Sequence, residues 1–176
     1  MRYDEHKEPD FEDDGYRPNV GIIIINQLDE VFWARRISGD GWQFPQGGID
    51  IGESVIDAMY RELEEETGFL ATDVELLART DNWLRYDLPN RYLGGARMPE
   101  SSLKSEFKGQ KQVWYLVRLV DDRVKPNFEL NDSPEFDDWC WINYWKAADR
   151  VVDFKREVYL QALTELAEKM QNKPVS

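Results

Sequence analysis

Four glutamates stand within the eight-residue stretch RELEEETG, which runs from Arg61 to Gly68. At about 100° of helical rotation per residue, Glu62, Glu65 and Glu66 fall on one arc at the border of the expected core-facing stripe. Glu64 points toward solvent. Like charges one turn apart destabilise a helix by about 0.2–0.5 kcal/mol per pair. We therefore expect these glutamates to bind a positively charged ligand that offsets their repulsion.

A hard divalent cation fits such a cluster. Mg²⁺ prefers oxygen ligands and commonly combines one or two carboxylates with substrate phosphates. Arg61 is the only cation nearby on the helix, so a bound ion would convert repulsion into ligation. Mg²⁺ can then neutralise phosphate charge and orient an attacking water, with a carboxylate as the base for that water. The alternative interpretation is a solvated acidic helix face.

The rest of the composition argues against several other kinds of site. The single histidine, His6, lies in a polar terminal stretch, which disfavours His-based triads and His-rich metal sites. The single cysteine, Cys140, cannot form an internal disulfide and is expected to be a small core residue. The net charge of −13 is opposite to the basic face that grips long nucleic acids. A polyanion would therefore be bound locally, through a few cations and a metal.

A helix from about Glu53 to Thr67 must carry the glutamates, with Gly68 as its C-cap. The preceding stretch QFPQGGIDIGES, residues 43–54, is rich in glycine and is expected to be an irregular loop. The apolar face that packs on the sheet is expected to consist of Ile56, Met59 and Leu63.

Several stretches have the composition of β-strands. Val20–Ile25 (VGIIII) is typical of a strand buried on both faces. A C-terminal amphipathic helix is expected from Phe154 onward. Strands around two substantial helices indicate an α/β (α+β) fold in one domain of residues 15–172. The other expected strands are Val31–Arg36, Asp73–Arg79, Asn82–Leu88, Lys111–Val120 and Asp137–Ile142.

The first 14 residues carry seven acidic side chains and are expected to form a loosely attached, flexible tail. They lack the apolar segment of a signal peptide. No stretch approaches the roughly 20 apolar residues of a membrane-spanning helix, so a cytoplasmic location is expected. Residues 89–109, with three glycines and two prolines, are expected to form a long loop.

The spacing around the acidic helix resembles the motif of the Nudix hydrolase family. Gly47, Glu53 and the run Arg61–Phe69 fill every fixed position of G-x5-E-x7-R-E-U-x-E-E-x-G-U, where U is a bulky apolar residue. The resemblance implies a mixed β-sheet sandwiched between α-helices and hydrolysis of a nucleoside diphosphate linked to another group. It implies Mg²⁺, or Mn²⁺ or another divalent cation, at a site formed by Glu62, Glu65, Glu66 and Gly47. Glu53 would support this site, and Arg61 would hold the glutamates by ion pairing.

Further stretches are similar to one Nudix subfamily, the bacterial RNA pyrophosphohydrolases, which remove pyrophosphate from the 5′ triphosphate of RNA and prepare mRNA for decay. The similarity runs from about residue 14 to 165, while the acidic tail and loop 91–108 match poorly. The matching stretches are GYRPNVGIII, VFWARR, WQFPQGG, NWLRY, GQKQVW, PEFDDWCW and VVDFKREVY.

The subfamily resemblance also implies roles for individual residues. Glu135 would join the metal and water site from a separate loop. Without the resemblance, Phe154 and Val152 are ordinary core candidates and Arg36 is an ordinary surface residue. The residues implied to contact the triphosphate are Arg17, Tyr86 and Gln110, and those implied to hold an RNA base are Arg36, Val152, Phe154 and Lys155.

Two other functions remain open from the sequence. Dinucleoside polyphosphate hydrolases, acting on diadenosine tetra- or pentaphosphate, share the WQFPQGG stretch and also bind a polyphosphate beside a base. A metal-binding scaffold that has lost catalysis is a third interpretation, and the intact set of motif glutamates argues against it. The sequence does not indicate the number of metal ions, a protein activator or an oligomeric state.

Overall fold

The computed structural model describes residues 8–89 and 107–172 of the chain. Residues 1–7 of the predicted tail and residues 90–106 of the predicted loop lie outside this part. No helix within it is long and apolar enough to cross a membrane.

Within the described residues, eight strands form one mixed sheet. Its centre is a parallel pair, in which the first strand, from Tyr16 to Ile25, lies beside residues 109–118. The strands are β1 (Tyr16–Ile25), β2 (Glu30–Arg36), β3 (Trp42–Gln43), β4 (Gln46–Gly48), β5 (Val74–Arg79), β6 (Leu84–Asp87), β7 (Gly109–Leu119) and β8 (Phe136–Asn143). The central path runs β3-β2-β1-β7-β5, while β4 pairs with β1, β6 with β7 and β8 with β2.

Helices cover both faces of the sheet, so the fold is the predicted α+β sandwich. Helix α1 (Val55–Thr67) packs on one face, against a cluster that contains Ile22 and Ile24. The short helix α2 (Ala147–Arg150) and the long helix α3 (Arg156–Gln171) pack on the other, against Ile23 and Ile25. Because successive strand residues face opposite sides, β1 is buried on both faces, as predicted.

Most predicted elements are confirmed with small differences in their bounds. Helix α1 begins at Val55 because Ser54 is its N-cap, where the serine side chain accepts a hydrogen bond from the Asp57 amide. Gly68 ends the helix in the left-handed conformation, at φ 76°, which glycine adopts without a steric cost. The predicted strand at Val20–Ile25 begins four residues earlier, at Tyr16, and each of the other predicted strands is present within two residues of its expected bounds.

The prediction of an irregular loop at residues 43–54 is wrong for the first part of that range. Trp42–Gln43 and Gln46–Gly48 are short strands, and the second pairs with Asn19–Gly21 of the buried β1. The backbone ladder to a central strand outweighs the glycine-rich composition there.

The predicted apolar face of α1 is confirmed at Met59 and Leu63, which are fully buried, and is wrong at Ile56. Val55 and Ala58 are fully buried, whereas Ile56 is only partly buried. The sheet-facing stripe therefore includes Glu62, which was expected at its border and is only 9% exposed.

Residues 8–14, the described part of the predicted tail, lie against the sheet. The Asp14 carboxylate pairs with the buried Lys111 at 3.0 Å and with Arg85 at 2.8 Å. The indole of Trp83 donates a hydrogen bond to the Asp10 carbonyl at 2.8 Å. These contacts attach this part of the segment to the domain, and the predicted domain boundary at residue 15 stays a prediction.

Candidate active site

Arg61 is the centre of the hydrogen-bond network around the acidic helix. Its Nε and Nη2 donate to the two carboxylate oxygens of Glu53 at 2.7 and 2.8 Å. Its Nη1 donates to Glu62 at 2.8 Å and to Glu65 at 3.3 Å, and Nη2 also reaches the Gly48 carbonyl at 2.9 Å. The hydrogen bonds from Arg61 lower the pKa of Glu53. Arg61 thus makes the ion pairs that the resemblance implied and ties α1 to β4.

The three motif glutamates differ in their contact with solvent. Burial raises the pKa of Glu62. Burial and the nearby charge of Glu62 raise the pKa of Glu66 well above its ordinary value, although Glu66 accepts a hydrogen bond from the Gln46 amide at 3.0 Å. The Glu65 side chain remains 49% exposed. Neighbouring carboxylates held out of water are destabilising when both are charged, and a divalent cation would offset that cost.

The carboxylates of Glu62, Glu65 and Glu66 are suitable ligands for a hard divalent cation, although the described residues do not form a preformed metal site. Across residues 8–89 and 107–172, no group of three or more Asp, Glu, Cys or His side chains is arranged to hold a metal ion as it stands. Arg61 instead engages oxygens of Glu62 and Glu65. Carboxylate oxygens are donors that Mg²⁺ prefers, and these three side chains project from one helix. That Glu62, Glu65 and Glu66 bind the metal stays a prediction.

The buried Glu62 carboxyl occupies the space that a side chain at position 47 would fill. A Cβ at position 47 would lie 1.9 Å from Glu62 Cδ. Gly47 also pairs with Val20 in the β4–β1 ladder, so its backbone has little freedom to move away. The predicted metal role of Gly47 stays a prediction, but its lack of a side chain is required by this packing.

We expect Gly47→Ala to lower kcat by up to about 10²-fold, because the new methyl displaces Glu62 and small displacements at a catalytic site have effects of that size. Overpacking should also lower stability by about 1–3 kcal/mol. Gly48→Ala is the comparison variant for kcat and stability, since its Cβ would meet the Arg17 guanidinium at 2.7 Å, a flexible side-chain end that can move. KM is not compared, because Arg17 is a predicted phosphate contact. Steady-state kinetics and thermal melting measure both effects. A Gly47→Ala enzyme with wild-type kcat would contradict this account.

A cavity of about 180 Å³ lies between the loop before β8, the turn before α3 and the sheet. It brings together residues that are far apart in the chain. Its lining includes all four predicted base-holding residues, together with Tyr86, Gln110 and Glu135. The lining residues for which the sequence indicated no role are Asp40, Trp42, Gln43, Gln46 and Leu88. Three of these five lie in the stretch WQFPQGG, which the subfamily resemblance already singled out. For Asp40, the sequence shows only that it lies in the glycine-containing stretch SGDG.

The three residues predicted to contact phosphate stand in register across adjacent strands. Gln110 of β7 is opposite Arg17 of β1 and opposite Tyr86 of β6. Directly opposite residues share one face of a sheet, and the Tyr86 hydroxyl donates to Gln110 Oε1 at 2.5 Å. Burial raises the pKa of Tyr86 to about 12, so its hydroxyl keeps its proton and remains a donor. Arg17 is exposed, beside Gly48.

The predicted base-holding residues form an aromatic and cationic wall. The rings of Phe154 and Tyr86 are 5.9 Å apart. The buried Lys155 donates from Nζ to Gln43 Oε1 at 3.0 Å, and burial lowers the pKa of Lys155 to about 8. Phe154 and Val152 are partly buried and pack against the core. They therefore contact both the core and the cavity.

Glu135 lies at the cavity wall and on the side of the helix glutamates. Its carboxylate accepts hydrogen bonds from Arg36, with Nε at 2.9 Å and Nη2 at 2.8 Å from Oε1. Its negative charge contributes to the raised pKa of Glu66. The structure thus brings a residue far from α1 in sequence close to the acidic cluster.

The NUDIX domain model matches residues 15–162. The RNA pyrophosphohydrolase of Stenotrophomonas maltophilia (strain K279a) is 51% identical over 154 residues, which are 88% of this chain and 72% of that protein.

Two solved structures share the fold at low sequence identity. A C. elegans Ap4A hydrolase binary complex has a TM-score of 0.61 and 16% identity, over 86% of this chain and 98% of that one. The E. coli dihydroneopterin triphosphate pyrophosphohydrolase has a TM-score of 0.62 and 18% identity, over 85% and 98%. Likeness at this identity concerns the fold alone.

Proposed function

This chain belongs to the NUDIX domain family and is a pyrophosphohydrolase, and from this premise we propose that it removes pyrophosphate from the 5′-triphosphate end of RNA and so initiates mRNA decay. The relative that is 51% identical is named for this activity. The observation that carries the proposal is the cavity, which joins aromatic and cationic side chains for a base to Glu135 and two predicted phosphate contacts. Since the substrate would be cellular RNA, we propose a cytoplasmic location.

The metal chemistry rests on the acidic cluster. Nudix hydrolases use a divalent cation, and we propose that here it is Mg²⁺, held by Glu62, Glu65 and Glu66. When bound, such an ion neutralises phosphate charge and lowers the pKa of a bound water. Arg61 holds Glu62 and Glu65 through hydrogen bonds, and Glu53 holds Arg61 in turn. These roles are consistent with the burial of Glu62 and Glu66, which makes their negative charge unfavourable unless a cation compensates it.

The remaining steps belong to protein side chains. Arg17 and the amide of Gln110 can donate to phosphate oxygens, and the Tyr86 hydroxyl, which donates to Gln110 Oε1, holds that amide on the same sheet face and contacts the triphosphate beside it. Glu135 lines the cavity and its charge acts on Glu66, and we propose that its carboxylate accepts a proton from the attacking water. No covalent nucleophile is required, because water attacks the phosphoanhydride directly.

Binding would be local, in keeping with the net charge of −13. Single-stranded RNA is recognised by stacking of splayed bases on aromatic rings and on arginine guanidinium planes. Phe154 and Arg36 both line the cavity and provide such surfaces. A first nucleotide or two held there would place the 5′ triphosphate toward the acidic helix without a long basic groove.

Parallel kinetics on two substrates test the proposal. Discrimination between two substrates is measured as the ratio of their kcat/KM values. We expect kcat/KM for a 5′-triphosphorylated oligoribonucleotide to exceed that for diadenosine tetraphosphate by at least about tenfold. Pyrophosphate release is followed with Mg²⁺ present and after its removal by chelation. The reverse preference would support a dinucleoside polyphosphate hydrolase instead.

Phe154→Ala tests the base cleft. Base–aromatic stacking contributes about 1–3 kcal/mol per base, so KM for the oligoribonucleotide should rise roughly 5- to 100-fold, while KM for inorganic triphosphate, which has no base, should stay near wild type. Phe128→Ala is the matched control, because Phe128 is also partly buried but packs on the opposite face. If both variants lower the melting temperature and neither changes substrate preference, Phe154 is a core residue only.

A further inference from the structure

Asp40 lines the cavity from the loop that joins β2 to β3. It lies between Gly39 at φ 81° and Gly41 at φ 96°, backbone conformations that side-chain-bearing residues rarely adopt. The Arg36 amide donates to the Gly41 carbonyl at 2.9 Å and closes the loop. The loop therefore turns back so that the Asp40 side chain meets that of Arg36.

The Arg36 guanidinium is held between two carboxylates. Its Nε and Nη2 contact Glu135 Oε1 at 2.9 and 2.8 Å, and its Nη1 contacts Asp40 Oδ2 at 3.1 Å. The Ser38 hydroxyl donates to the same Asp40 oxygen at 3.0 Å, which fixes the carboxylate in turn. All N–H donors of a guanidinium lie in its plane, so contacts through its edges leave its faces available to stack on a base.

Two anchoring points restrain the guanidinium more than one does. With Glu135 alone, the Arg36 side chain could swing about that contact and change the direction of its face. The second contact, from Asp40, holds the plane in one orientation before substrate arrives. A group that is already ordered binds its ligand more tightly, because less conformational entropy is lost on binding.

We propose that Asp40 is a positioning residue for base recognition, which fixes the plane of Arg36 so that one face is presented to the first bases of the RNA. The inference rests on the proposed RNA pyrophosphohydrolase function and assigns a specific task to a loop residue. Asp40 acts through Arg36 and need not touch the substrate.

The neighbouring arginine provides a matched control. Arg35 pairs with Asp137 at 2.8 Å, and the Asp137 side chain is 45% exposed, the same fraction as Asp40. Asp137 does not line the cavity. Asp137→Ala therefore removes an equally exposed partner of an adjacent arginine without altering the restraint on Arg36.

The test is a double-mutant cycle with steady-state kinetics. We expect Asp40→Ala to raise KM for a triphosphorylated oligoribonucleotide about three- to tenfold, with kcat and melting temperature near wild type. KM for inorganic triphosphate should not rise. In an Arg36→Ala background, the same change should alter KM for RNA by less than about twofold, because residues that act through one contact are not additive. Asp137→Ala should match wild type throughout.

The sign of the effect separates this role from simple electrostatics. Removing a negative charge near a polyanionic substrate would by itself lower KM, whereas lost positioning of Arg36 raises it. An unchanged or lower KM for RNA, or an equal rise in the Arg36→Ala background, would overturn the proposal. A wild-type enzyme that does not act on triphosphorylated RNA would overturn the proposed function as well, so the two failures are distinguishable.

Discussion

We expect Glu65→Gln to abolish turnover while leaving the fold intact. The substitution keeps the shape of the side chain and removes one of the three carboxylates predicted to hold the divalent cation. The Glu65 side chain is 49% exposed and makes only the longest of the Arg61 contacts to the motif glutamates, at 3.3 Å. Exposed ion pairs contribute about 0–1 kcal/mol, so the melting temperature should change little.

Glu64→Gln is the matched control for this experiment. Glu64 lies on the same helix, one residue away, and is exposed, and the predicted metal site does not include it. Mg²⁺-dependent pyrophosphate release and thermal melting are measured on both variants. A Glu65→Gln enzyme within about threefold of the wild-type rate would remove Glu65 from the metal site.

Glu65 is a better test position than its two neighbours. The pKa of Glu62 and that of Glu66 are raised by burial, so folding favours their protonated forms. Both therefore reduce stability as pH rises from the ordinary glutamate pKa through their folded-state values. Neutral substitutions there would change stability and metal affinity together, and the two effects would be harder to separate.

The second large effect is expected for Glu135→Gln. General-base assistance contributes about 10²–10⁴-fold to rate, and the maximal rate should fall by a factor in that range. Glu135 is 40% exposed and its described contacts are with Arg36 and the Ile37 amide, so the change in stability should be small. KM for RNA should rise as well, because Arg36 loses one of its two anchoring carboxylates.

Saturating Mg²⁺ distinguishes two roles for Glu135. If Glu135 is only a metal ligand, excess Mg²⁺ should restore the rate, whereas a missing proton acceptor cannot be replaced in this way. Asp137→Asn, two residues further along and also ion-paired with an arginine, controls for loss of charge near this loop. A wild-type rate for Glu135→Gln at both low and saturating Mg²⁺ would exclude Glu135 from the mechanism.

Local pattern was sufficient for the acidic helix and most strands. Helical periodicity places Glu62, Glu65 and Glu66 on one arc, because residues three and four apart are neighbours on a helix surface. The run Val20–Ile25 indicated a doubly buried strand from its own composition. The Nudix motif is equally local, since all its fixed positions lie within residues 47–69.

Burial and pairing corrected these local predictions at two places. The short strand at Gln46–Gly48 exists because β1 offers it a ladder, which composition alone does not reveal. Glu62 is buried and not merely at the border of the stripe, because the orientation of α1 is set by how it packs on the sheet. The same packing explains why position 47 has no side chain, since a Cβ there would clash with Glu62. The motif requires glycine at this position but does not give the reason.

The sequence by itself determined the acidic helix, the family and the type of chemistry, whereas tertiary structure decided which distant residues share one cavity. The parallel β1–β7 pair aligns Arg17 with Gln110, and the β2–β8 pair brings Arg36 beside the loop that holds Glu135. The contact from Asp40 follows from the turn after β2. Such pairings join residues up to about a hundred positions apart, and they depend on the whole sheet forming, so no local spacing or composition encodes them.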